Sequence, residues 1–281
     1  VLGYRNAAQS ARVTGKVDQA TQADLIRVAH LLADAARPVT LAHFRTSGLV
    51  ADTKAAAHFD PVTIADRAAE QAMRAVLAQE RPDDGIFGEE FGQTPGSTGL
   101  TWVLDPIDGT RGYISGTPTW GVLIAVGAAD GPVYGIIDQP YIGERFAGGF
   151  GQADVTGPMG TVPLATLAPR ALDQAILLST FPEIGSPAQM AAFQDVARQV
   201  RLTRYGMDCY GYALLAAGQV DLVIEAGLNA YDVQAPIAVI KAAGGIVTDW
   251  SGAPVHQGGQ VLAAANPDIH AAALDILRKH G

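Results

Sequence analysis

Apolar residues recur at helical spacing from about Val17 to Phe44, where Leu25, Val28, Leu32 and Ala36 fall on one face. This predicts a long first helix that Pro38 kinks or divides. Residues 1–17 are polar and read as a loosely held arm, and Thr46 to Phe59 as a loop or hairpin carrying a solvated Lys54. Asp60 opens a second helix to about Gln79, with Ala69, Met73, Val76 and Leu77 as its apolar face and Asp66 in its first turns. Gly85 to Glu90 reads as a short buried strand ending in two acids, and Trp102 to Leu104 as another buried strand. Strands are expected at Trp120 to Val126, Val133 to Asp138 and Arg145 to Phe150, with Asp130-Gly131 turning a hairpin.

Residues 151–172, rich in Gly, Pro and Thr, read as a linker between an N-terminal α+β half (1–150) and a C-terminal α/β half (173–281). The second half alternates. Strands are expected at Ala175–Ser179, Val200–Arg204, Val220–Glu225, Gly245–Asp249 and Val261–Ala264. Helices are expected at Pro187–Arg198, Asp208–Ala217 and Asp232–Ala243, and a last one is capped by Asn266-Pro267. Such alternation indicates an α/β layered unit.

Composition narrows the function classes. The 281 residues, 48% hydrophobic and 17% charged, suit a soluble globular chain with a well-filled core. No apolar run is long enough to span a bilayer, and the first residues show no apolar signal-peptide region. The single Cys209 rules out an internal disulfide and fits the cytoplasm; it reads as a buried small residue, not a nucleophile. A net charge of −9 argues against nucleic acid as a partner, and an acidic enzyme acting on a phosphate ester would need metal to hold its substrate.

The chemistry concentrates in Trp102-Val-Leu-Asp-Pro-Ile-Asp-Gly-Thr110. Pro106 makes the chain turn where the strand ends, so Asp105, Asp108 and the Ile107 carbonyl can face one point. Oxygen ligands of this kind suit Mg2+. Gly109 lets backbone N–H groups approach a phosphate closely. Taken alone, Asp-Pro-x-Asp-Gly is a common turn, Asp66 a favourable helix-start charge, and Asp232 a helix N-cap.

Taken together, Gly88-Glu-Glu90, the 102–110 stretch, and Tyr231-Asp232 with Ala235 and Gly244-Gly245 resemble the motifs of the inositol monophosphatase superfamily, from about residue 20 to the end. Tyr231 stands where the family commonly has Trp, and Ala242 where it often has Glu. The resemblance implies a layered αβαβα sandwich of α+β or α/β class, two to three Mg2+ per site, lithium sensitivity, a small phosphorylated substrate and a homodimer. It implies that Glu89, Asp105, the Ile107 carbonyl, Asp108 and Asp232 bind metal, with Asp105 bridging two ions. Asp66, hydrogen-bonded to Thr110, would activate the attacking water and meet a third ion; Gly109 and Thr110 would hold the phosphate. Two metals of this kind can generate hydroxide and stabilise a leaving oxygen.

Within the superfamily, Gly135-Ile-Ile-Asp-Gln-Pro140, Glu144-Arg145, Arg204-Tyr-Gly-Met-Asp-Cys-Tyr210, Tyr212-Ala-Leu-Leu215 and Val220-Asp-Leu-Val-Ile-Glu-Ala-Gly227 are most similar to histidinol-phosphate phosphatases. The amino group and imidazole of that substrate call for acids beyond the metal ligands, and Asp208 and Glu225 are the candidates. A helix N-cap is the competing reading of Asp208. An inositol-1-phosphate or broad sugar-phosphate phosphatase is the alternative on the same core. A non-catalytic metabolite-binding regulator is a third reading, which lost ligands would have favoured.

Overall fold

The computed structural model describes residues 17–46, 52–53 and 61–280. The expected N-terminal arm and Lys54 lie outside the described residues, apart from Val17. The first helix, α1 (Gln19–His43), starts on Asp18, whose carboxylate accepts the Ala20 and Thr21 N–H groups, and runs past Pro38 without dividing. A short antiparallel pair, β1 (Asp52–Thr53) and β2 (Pro61–Val62), leads into α2 (Ile64–Glu80). Leu25, Val28, Leu32 and Ala36 of α1 are fully buried, as are Ala69 and Met73 of α2.

Eight strands form the first sheet. These are β3 (Gly85–Gly88), β4 (Gly92–Thr94), β5 (Thr101–Asp108), β6 (Gly121–Ala128), β7 (Gly131–Gln139), β8 (Glu144–Gly149), β9 (Gln152–Gly157) and β10 (Gly160–Pro163). Their order is β10-β9-β8-β7-β6-β5-β3-β4, antiparallel throughout except for β3 on β5. A short helix, α3 (Thr110–Ser115), interrupts the run between β5 and β6. The region expected to be linker thus supplies the last two strands at one end of the sheet, with β10 at its edge. Its β-branched residues Val155, Thr156, Thr161 and Val162 stand in the ladder, and its Gly and Pro residues at 157–160 make the hairpin turn.

The second sheet contains β11 (Ile176–Ser179), β12 (Leu202–Tyr205), β13 (Leu222–Asn229), β14 (Ile246–Thr248) and β15 (Gly258–Ala264), in the order β12-β11-β13-β15-β14. The first three run parallel, and the rest antiparallel. Helices α4 (Pro187–Ala197) and α7 (Pro267–Leu277) cover its outer face, where Phe193, Val196, Ile269 and Ala273 are buried.

Between the sheets lie α5 (Asp208–Ala216) and α6 (Ala230–Ala242). Helix α6 touches β5 to β8 on one side and β13 to β15 on the other. With α1 and α2 outside the first sheet, the layers read αβαβα, as expected. Seating α6 depends on a glycine notch. Gly135 and Gly148 face each other across β7 and β8. A Cβ on either would stand 2.7 Å from the α6 backbone, at the Ala235 carbonyl and the Val239 Cα.

Asp138 belongs to this framework. It is wholly buried and accepts from Arg37 of α1 at 2.6 Å and Arg145 of β8 at 2.7 Å. The Asp138-Gln-Pro segment therefore ties α1 to the sheet and does not line the cavity described below.

Candidate active site

The site is organised by an irregularity in β5. Opposite β6, Asp105 pairs with Leu123 and Asp108 with Gly121, so two residues on β5 face one on β6. In a regular strand, residues three apart point to opposite faces; the extra residue brings them back to the same side. The bulge falls at Pro106, which has no N–H to give to the ladder. The strand thus continues through Asp108, where the sequence suggested that it ended at Leu104. The Ile107 N–H closes the bulge onto Asp105 Oδ1 at 3.0 Å, while the Ile107 side chain anchors it among Phe44, Ala65, Tyr113 and Trp120.

Helix α6 brings the third acid. Asp232, in its first turn, accepts the Asn229 N–H at 2.6 Å, so the expected cap role falls to the helix start around Asn229. Oxygen atoms of Asp105, Asp108 and Asp232 lie within 4.8 Å of one another. Glu89, in the turn after β3, lies close enough to Asp105 to raise its pKa.

Burial pushes the Asp105 carboxyl well above the usual range, and the charges of Glu89, Asp108 and Asp232 push it further. Asp108 is raised likewise by burial, then by Asp208 and Asp232, although the Cys209 N–H donates to its Oδ2 at 2.6 Å. A pocket that crowds like charges in low dielectric is stabilised by a cation. The donor set is all oxygen, which fits a hard divalent ion such as Mg2+.

Asp66 is the buried third residue of α2, its Oδ2 held by the Thr63 N–H at 2.8 Å and hydroxyl at 2.6 Å. Its Oδ1 is buried without a hydrogen-bond partner. Burial, with smaller contributions from Glu89 and Glu90, lifts its pKa to about 6 against the two Thr63 hydrogen bonds. The expected Asp66–Thr110 hydrogen bond is not made: the Thr110 hydroxyl donates to the Ile107 carbonyl at 3.1 Å. Both oxygens have acceptor capacity left, so a bound ion and water can regroup these partners.

Above the acids is a cavity of about 380 Å3 lined by Glu89, Asp108, Thr110, Asp208, Glu225 and Asp232, among others. Gly109 floors it in a left-handed conformation (φ 81°). Asp208 packs on that glycine so closely that a Cβ there would sit 2.8 Å from the Asp208 side chain. Asp208 itself has φ 45° and makes no cap bond, which weakens the N-cap reading. Burial raises its pKa to about 6, against the Thr119 hydroxyl and the Arg111 charge. Glu225, raised to about 7 mainly by burial, accepts the Thr180 N–H at 2.6 Å.

Two wall residues escaped the sequence reading. The Arg111 guanidinium lies 4.9 Å from the ring centre of Phe181, and both line the cavity. Arg111 could have been suspected from following Gly109-Thr110 directly; Phe181, in the loop after β11, carries no sequence signal. A larger cavity of about 670 Å3, between α4 and α7, contains no carboxylate.

Comparison with known proteins bears on the family and the fold. The chain is 40% identical over 264 residues to a chloroplastic bifunctional phosphatase of Arabidopsis thaliana, covering 90% of this chain and 75% of that one. It is 34% identical to a histidinol-phosphatase of Streptomyces coelicolor, covering 91% and 97%. The solved structure of an inositol monophosphatase from Zymomonas mobilis superposes with a TM-score of 0.81 at 41% identity, covering 91% of this chain and 98% of that one. The model of the inositol monophosphatase family matches residues 21–281, so the chain belongs to that family.

Proposed function

We propose that this phosphatase-family protein hydrolyses L-histidinol phosphate to L-histidinol in a Mg2+-dependent reaction. The observation that carries the substrate choice is the pair of carboxylates, Asp208 and Glu225, that share the cavity with the acidic cluster. An ammonium and an imidazole need such acceptors; a neutral polyol does not need two. Several relatives named as histidinol-phosphatases support the same reading.

In this reading Glu89, Asp105, the Ile107 carbonyl, Asp108 and Asp232 hold two to three Mg2+. Bound there, the ions supply Lewis acidity towards phosphoryl oxygen and lower the pKa of water. The N–H groups of Gly109 and Thr110 hold the phosphate. Asp66, with its pKa lifted to about 6 and one oxygen unpartnered, accepts the proton of the attacking water. The water oxygen forms the new P–O bond, and the substrate oxygen leaves opposite it and takes a proton. The protein works as a cytoplasmic homodimer. Among the described residues no helix is long and apolar enough to cross a membrane.

The test is phosphate release with Mg2+ from L-histidinol phosphate and inositol 1-phosphate side by side. We expect a strong preference for the former, and an Asp208→Ala variant whose KM for it rises about tenfold, the effect of one charge-assisted hydrogen bond. A preference for inositol phosphate would support the second reading, which the Zymomonas mobilis likeness favours and in which Glu225 accepts hydroxyls. Inactivity on both would favour the regulator.

Glu225 also sets a pH dependence. Its folded pKa is about 7 against an ordinary 4.5, so the ionised form that binds an ammonium grows in as pH rises through 7. KM for histidinol phosphate should fall over that range, and Glu225→Gln should remove the part centred near 7 while leaving the part that Asp208 contributes near 6. Stability moves the opposite way. The folded protein keeps a proton that the unfolded chain releases near 4.5, so this contribution is full below that pH and is lost as pH rises through 7. Thermal melts of wild type and Glu225→Gln across this window check the sign.

A further inference from the structure

Asp66, Glu70 and Arg74 are spaced by four and stand on one face of α2. Asp66 has a role in the proposed reaction; Glu70 and Arg74 have none so far. Glu70 is wholly buried. Its carboxylate accepts the N–H of Glu90 at 2.7 Å and of Phe91 at 3.3 Å, together with Arg74 Nε at 2.7 Å. Arg74 continues the grip. It donates to the Gly92 carbonyl at 2.6 Å and to the Thr94 hydroxyl at 3.0 Å. On the other side, the Glu89 N–H is fixed to the Leu104 carbonyl at 3.1 Å. Contact with Gly88 is so close that a Cβ there would lie 1.9 Å from Glu70 Oε1. The glycine of Gly88-Glu-Glu90 is thus the space into which the Glu70 carboxylate fits.

We infer that Glu70 is a positioning residue: it clamps the turn after β3 and so sets where Glu89 stands relative to Asp66 and Asp105. The inference rests on the metal-dependent reading above. A buried charge held by two amides and a guanidinium fixes a turn more stiffly than neutral hydrogen bonds would. Because Asp66 and Glu70 share one rigid helix, the same clamp ties the placement of Glu89 to that of the proposed water-activating acid. Partners that orient a metal ligand affect metal affinity about 10–100-fold when replaced.

The experiment is calorimetric binding of Mn2+ alone to wild type and Glu70→Gln, with circular dichroism to verify the fold and hydrogen exchange read at the Glu90 and Phe91 amides. We expect the variant to bind Mn2+ at least about tenfold more weakly, to exchange those amides faster, and to recover much of its turnover at high Mg2+. Loosened amides with wild-type Mn2+ affinity would reduce Glu70 to a staple for the hairpin and overturn the inference. Should Glu70→Gln fail to fold, Gly88→Ala keeps both charges and displaces the carboxylate, and it should show the same loss; wild-type binding there is equally fatal. In the wild type, Mg2+ should slow exchange at the same two amides, and no change would count against the clamp. Wild-type Mn2+ binding without turnover of any phosphate ester would sink the proposed function and leave the Glu70 assignment standing on the binding data. A wild type that binds no Mn2+ would remove both.

Discussion

Asp105→Asn leaves a folded protein whose phosphatase activity falls at least about a thousandfold, at the upper end of what losing one preorganised electrostatic group costs. Asp105 is the buried member of the triad, reached by the charges of Glu89, Asp108 and Asp232 together. An amide at this position keeps the Ile107 N–H contact and the shape of the bulge, but removes one of the charges proposed to share a cation. The same substitution relieves repulsion in the metal-free protein, so its melting temperature without Mg2+ should not fall. What should vanish is the rise in melting temperature on adding Mg2+, since a ligand stabilises only the state that binds it. Steady-state turnover and melts with and without Mg2+ decide the matter together. Near-normal Mg2+-dependent turnover in Asp105→Asn would refute the metal assignment, whatever the melts show.

Gly109→Ala should cost about a hundredfold in kcat/KM, the loss that follows a misplacement of about 1 Å in a reacting geometry. Two independent reasons converge here. The φ of 81° penalises any L side chain, by about 1–2 kcal/mol, and a Cβ would meet the Asp208 side chain at 2.8 Å. Asp208 has little room to retreat, being itself held at φ 45° and packed at the start of α5. The substitution therefore disturbs the proposed phosphate seat and the proposed substrate acid at once. Kinetics with histidinol phosphate should show KM and kcat both affected. A change in KM alone would place the damage at Asp208 and spare the phosphate.

Much of this arrangement could be read from the chain because the acids sit where local structure changes. Asp105 and Asp108 flank a proline at a strand bulge, Asp66 opens a helix, and Asp232 starts another. The two strands in residues 152–163 were hidden because glycine and proline at their turn outweighed short β-branched runs. Asp138 was read as a substrate signature, and the fold uses it as a buried ion-pair partner of Arg37 and Arg145. Pattern alone cannot tell such an acid from a ligand, since both are carboxylates at strand ends; only the partner, a hundred residues away in the chain for Arg37, decides. Glu70 was missed for a related reason. A Glu and an Arg four apart on a helix read as a solvated pair, and here they face backbone amides under a turn.

The seating of α6 between the sheets has a consequence for how the protein comes to life on the ribosome. Asp66, Glu89, Asp105 and Asp108 emerge early, but Asp232 rides on a helix made late and held by glycine notches on strands made long before. Until that helix docks, the inner face of the first sheet has no cover and the acids lack their last member. The nascent chain therefore passes through a stage that is adhesive and catalytically silent. If the acids hold metal as proposed, the full site forms only once the middle layer has closed.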